Sequence, residues 1–172
     1  KLKSIVFPRN QVNQNYLSIC SKYGIKTYRG TEKIWFNRAD SELNTTLVKR
    51  IFRTLDCYIN ISGHHTFTKS ELGENYPYNI RSSRFLRPYN NRFPILEFLK
   101  LRRIISSMTH AAKNGEAFHL WWHPHNFGYN MDKNFEGLQK ILNHYVYLNK
   151  KYGFESVTME AFADEVDLHR LN

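Results

Sequence analysis

The sequence runs to 172 residues, of which 41% are hydrophobic and 15% aromatic, enough for one domain with a buried core and too apolar for a disordered tail. No stretch approaches the roughly 18 consecutive apolar residues of a membrane span, and no charged, apolar and small-residue succession marks a signal peptide. The formal charge of +10 invites a nucleic-acid reading, but the basic residues are spread out; the one dense stretch, Arg81 to Arg103, is interrupted by aromatic residues, Leu and Ile as in a folded helix and its approach loop, so nucleic acid is not an expected partner.

Ser4 to Phe7 is a short apolar run stopped by Pro8, which predicts a buried strand delivering Arg9 and Asn10 to a loop. Asn13 to Tyr23 sets Tyr16, Leu17, Ile19, Cys20 and Tyr23 at helical spacing and stops at Gly24. A strand over Ile25 to Tyr28 then completes a parallel βαβ pattern. A second helix is expected from Ala39 to about Leu55, capped by Asp40 or Ser41, with Leu43, Leu47, Val48, Ile51, Phe52 and Leu55 on one face. Cys57 to Pro94, rich in Gly, Pro and Asn, reads as mostly loop with short strands; long irregular segments in compact domains are commonly functional.

Ile95 to Lys113 has the strongest helical pattern and is stopped by Asn114-Gly115. Ala117 to Trp122 is short and aromatic, hence a buried strand, with His123, Pro124, His125 and Asn126 at its carboxyl end. Asn134 is expected to cap a helix reaching Gly153, Ser156 to Met159 to form a last strand, and Met159 to Val166 a final helix. The order indicates a single α/β domain over residues 1–172 with mainly parallel strands. Chemistry in such folds gathers at the carboxyl ends of strands, where both Arg9-Asn10 and the His123 loop fall. Cys20 and Cys57 lie in apolar stretches and read as buried thiols, with no disulfide framework and no CxxC metal site.

His123 and His125 leave three readings open. They are an HxH metal pair, or one is a general acid tuned near neutral pH, or they are structural histidines bonding a loop carbonyl. Two tryptophans immediately before His123 suit a sugar ring. His64 and His65 are adjacent, so on extended chain they point to opposite faces and do not share an ion easily; a non-catalytic loop is expected. Arg9 either orients a carboxylate through its planar fork or is a solvated loop residue.

The run Phe118-His-Leu-Trp-Trp-His-Pro-His-Asn-Phe-Gly128 resembles the last motif of the polysaccharide deacetylase proteins (NodB homology, carbohydrate esterase family 4), where an apolar strand ends in a histidine. Ser4 to Gln11 resembles the middle motif, a strand ending in an arginine, and Arg81 to Pro88 the substrate-side loop before the penultimate helix. With the tail Tyr152 to Met159 the similarity spans nearly the whole chain. It implies the C-terminal portion of a distorted (β/α) barrel that hydrolyses the N-acetyl group of an amino sugar, a carbohydrate substrate, using a divalent metal, typically zinc. By resemblance His123 protonates the leaving amine, Arg9 steadies a catalytic aspartate, and Trp122, His125 and Asn126 meet the substrate.

The departures lie upstream. No Thr-Phe-Asp-Asp-like stretch and no His-Ser/Thr-x-x-His segment precedes Ser4, the family's aspartate-tryptophan motif is missing after Arg9, and Pro8 precedes that arginine instead of following it. With Lys1 in place of a methionine, the chain reads as cut from something longer. The metal is therefore expected on residues outside this chain, and the chain alone is expected to be inactive. Two further expectations are self-association, or pairing with a complementary N-terminal fragment, and a bacterial source with a cytoplasmic or cell-envelope location. A non-catalytic carbohydrate-binding module is the alternative to the enzyme.

Overall fold

Short parallel strands joined by helices organise the chain. The computed structural model describes residues 2–32, 34 and 47–171, and of Arg9 the backbone alone. Ser4–Ile5 (β1), Thr27–Tyr28 (β2) and Tyr78–Asn79 (β3) form a parallel three-stranded sheet in that order. Arg84–Phe85 (β4) and Leu120–Trp121 (β5) form a parallel pair. One extended segment serves both sheets. The Ile80 and Ser82 amides donate to Tyr28 and Gly30 carbonyls (2.9 and 3.0 Å), whereas the Ser83 and Leu86 amides donate to His119 and Trp121 carbonyls (2.8 and 2.9 Å). The partner changes between Ser82 and Ser83, which is why this run is buried.

The helices are Gln14–Lys22 (α1), Leu47–Leu55 (α2), Pro94–Asn114 (α3), Met131–Tyr152 (α4) and Met159–Leu171 (α5). The fold is mixed α/β with parallel strands. The expected start of the second helix, with Asp40, Ser41 and Leu43, lies outside the described residues. α1 is capped by the Asn13 side chain, which accepts from the Asn15 amide at 2.9 Å. α3 and α4 stop at Gly115 and Gly153, both at φ 66°, the left-handed conformation glycine adopts without steric cost.

Three expectations fail. The run Ser4 to Phe7 is not buried: its two-residue strand is half-buried and Val6 is 47% exposed, because the chain leaves the sheet after Ile5. Asn134 is not the cap of α4 but a buried residue of its first turn. Its amide donates to the Tyr129 carbonyl (2.7 Å) and accepts from the Tyr89 amide (2.7 Å), tying the chain after β4 to α4. Ser156 to Met159 forms no strand, because Thr158 is spent on α5: its hydroxyl accepts from the Ala161 amide (3.1 Å) and its carbonyl from that of Phe162 (2.9 Å). Cys20 and Cys57 are half-buried and not disulfide-bonded, and the Cys57 thiol bonds the Arg53 carbonyl at 3.1 Å.

Leu86, Ile104, Met108, Phe127, Ile141 and Leu148 form one core between β4, α3 and α4, and Phe67, Leu72, Tyr78, Ile80, Ala163 and Val166 a second beneath α5. Between strands and α3 lies a buried polar knot. Asp56 accepts from the Ile61 and Ser62 amides (3.1 and 2.9 Å) and from Arg84 Nη1 (2.7 Å), with Arg103 Nη2 at 3.6 Å. Burial opposes ionisation of Asp56, but the bonds from Ser62 and Arg84 outweigh it and hold its carboxyl below the usual range. The knot pins the Cys57–Thr66 connection, none of whose side chains is fully buried, ahead of the core residue Phe67.

Candidate functional site

The carboxyl ends of β1, β2, β4 and β5 meet on one rim. After β1 the chain turns through a 3-10 segment, Pro8–Asn10, which carries the backbone of Arg9. Asn10 sits at φ 54°, a left-handed conformation that asparagine tolerates better than most residues. Its Oδ1 accepts from both Nε (3.3 Å) and Nη2 (3.1 Å) of Arg29, the residue after β2. The Arg29 guanidinium stacks on the Trp121 indole with Cζ 4.0 Å from the ring centroid, a contact worth about 0.5–2 kcal/mol. Burial lowers the Arg29 pKa, with the Glu32 charge acting in the opposite sense.

Trp121 is the centre of this rim. Phe85 packs against it at 4.4 Å between centroids, and His123 meets it edge-on at 5.1 Å and 87°. Phe85 also meets the His123 ring, at 5.8 Å. The indole is flanked by Arg29, Phe85 and His123, and its Nε1 is buried with no hydrogen-bond partner among the described residues. An unbonded buried donor costs about 1–3 kcal/mol; the ring holds its place as a plate between neighbours despite that cost. His123 itself is exposed, and its ring stacks on that of His125 at 5.0 Å and 19°.

The strand alternation separates the two tryptophans. Trp121 and His123 share the rim, whereas Trp122 packs near Phe127 (6.1 Å) and lines a groove of about 660 Å³ with Phe118, Leu120, Leu138 and Tyr145. That groove is mostly apolar and reaches neither Asn10, Arg29 nor His123. The rim, where polar groups of different strands converge, is the better candidate. Of the residues expected to meet substrate, His125 lies beside His123, and Asn126 is half-buried in the 3-10 turn Pro124–Gly128, its amide bonded to the His123 carbonyl at 3.0 Å. Trp122 lies apart from them. Arg29 was not singled out from the sequence, and Trp121 only as one of the two tryptophans before His123. Tyr28-Arg29-Gly30 closes an expected strand, and that position was the available signal.

His64 and His65 take different partners. His64 Nδ1 lies 3.2 Å from Ser107 Oγ and its ring stacks on His110 at 4.4 Å; His65 Nε2 lies 2.6 Å from Ser62 Oγ. Among the described residues no three His, Cys, Asp or Glu side chains converge as metal ligands. None of their helices is long and apolar enough to cross a membrane. Comparison of the chain with protein-family models, with curated proteins and with solved structures yields no match.

Proposed function

We propose that the complete protein is a metal-dependent hydrolase of the polysaccharide deacetylase type, removing N-acetyl groups from an amino sugar. The fold would then be part of a distorted (β/α) barrel. The observation that carries this reading is an exposed imidazole, His123, at the carboxyl end of a parallel strand, on the same rim as Asn10 and Arg29 from two other strand ends.

The described residues offer no converging ligand set for a divalent ion; the ion would be held by residues outside this chain. What this chain contributes is proton handling and orientation. Amide hydrolysis expels an amine, which leaves readily only when protonated as the C–N bond breaks. His123 supplies that proton. Its ring contacts Trp121, Phe85 and His125, and its exposed edge would meet the sugar. By resemblance, Arg9, in the 3-10 segment after β1, would steady a carboxylate.

The test is acetate release from N-acetylated oligosaccharides by the full-length protein. His123→Ala is expected to lower turnover by a factor on the order of a hundred with little change in substrate affinity. Unchanged turnover rejects the role. Glycan binding by the full-length protein without any acetate release favours a non-catalytic carbohydrate-binding module.

A further inference from the structure

Resting on the carbohydrate reading above, we infer that the glycan bound at this rim carries a carboxylate, and that Arg29 is the residue that recognises it. A guanidinium has two edges able to grip a carboxylate in bidentate fashion. In Arg29 the Nε/Nη2 edge is closed by a single acceptor, Asn10 Oδ1, at 3.3 and 3.1 Å. One face is closed by the Trp121 ring at 4.0 Å. The Nη1/Nη2 edge keeps its outer N–H groups, and no described residue bonds Nη1. The group is thus oriented by a hydrogen bond and a stacked plane, with its remaining fork unbonded among the described residues.

The surroundings favour an anion. The one described acid nearby that acts on the Arg29 charge is Glu32, and its Oε1 accepts from Ser82 Oγ at 3.1 Å. Beside Trp121 stands the exposed imidazole of His123, with that of His125 stacked on it, and neither brings negative charge. A neutral hydroxyl reaching Arg29 merely replaces water. A carboxylate gains a charge-assisted pair with a half-buried, pre-oriented cation, with no further side-chain ordering. The partner class is therefore an acidic oligosaccharide in which a uronic acid neighbours the N-acetylated sugar.

Two probes of equal length separate the possibilities: an N-acetylglucosamine tetramer, and a tetramer alternating N-acetylglucosamine with glucuronic acid, each titrated calorimetrically at low and high salt. The full-length protein is expected to bind the acidic probe about tenfold to a hundredfold more tightly at low salt. Salt should weaken the acidic probe more than the neutral one. Arg29→Gln should bring the ratio of the two affinities close to unity, and Asn10→Ala, which frees the guanidinium from its anchor, should reduce that ratio in part. Equal affinities in the unaltered protein, or a preference that survives Arg29→Gln, overturns the assignment while leaving the carbohydrate reading standing. Binding of neither probe sinks the carbohydrate reading itself and this inference with it.

Discussion

Asp56→Asn tests whether the buried polar knot holds the Cys57–Thr66 connection against the strands and α3. Asp56 is 4% exposed and faces two guanidiniums, Arg84 at 8% and Arg103 at 4%. Neutralising it leaves both cations buried without their counter-charge, and breaking a buried pair by removing one partner costs about 3–5 kcal/mol. That is a large share of the roughly 5–15 kcal/mol that separates folded from unfolded states. At about 2–4 °C per kcal/mol for a chain of this size, the melting temperature should fall by about 6–20 °C. Thermal unfolding followed by circular dichroism reads the shift. Lys133→Ala is the control. Its pair with Glu136, at 3.0 Å, has both side chains more than half exposed, so little or no change in melting temperature is expected. An Asp56→Asn protein melting within about 2 °C of the unaltered one, on the same scale, would refute the reasoning.

Stability should also fall with acid, in two stages. Burial, reinforced by the Arg84 charge, lowers the His65 pKa from 6.5 to about 4. The unfolded chain then binds more protons in that window, so the contribution is complete above about 6.5 and is lost as pH falls toward 4. The ring is partly exposed, which reduces the full linkage value to about 2 kcal/mol; His64, His119 and His144 shift in the same direction. Asp56 acts below this window, its depressed pKa holding stability present above the ordinary carboxylate value and lost as pH falls through the folded one. Denaturant midpoints measured across pH check both stages, and His65→Gln should flatten the upper one. Self-association is expected through apolar side chains left in solvent, among them Tyr16 and Ile19 of α1, Tyr23 just after it, and Leu47 and Val48 of α2. Analytical ultercentrifugation should show mass rising with concentration, and Ile19→Asp combined with Val48→Asp should abolish the rise; a concentration-independent monomer for the unaltered chain refutes it.

The long helices were legible because their apolar spacing and stop signals are local. Gly115 and Gly153 end α3 and α4 where the pattern runs out. The strand ends Asn10 and His123 were legible for a similar reason, since a short apolar run bounded by Pro or polar residues announces where a chain leaves a sheet. The Arg81–Leu86 run was not. Its arginines and serines suggest solvent, yet Arg81, Ser82, Ser83 and Arg84 are all buried, each answered by a group distant in sequence: Glu71, Glu32, the His65 carbonyl and Asp56. A polar residue is buried at tolerable cost only when a partner meets it, and partners 28 residues away, as Asp56 is from Arg84, leave no local trace.

The rim divides in the same way. The sequence by itself determined which residues stand at strand ends, because apolar periodicity and its interruption are properties of consecutive positions. Tertiary structure alone decided which of those ends adjoin, which of two neighbouring tryptophans shares a face with His123, and that Arg29 is gripped by Asn10 on one edge and by Trp121 on one face. Alternation offers two faces for any strand, and only packing against the other elements selects between them.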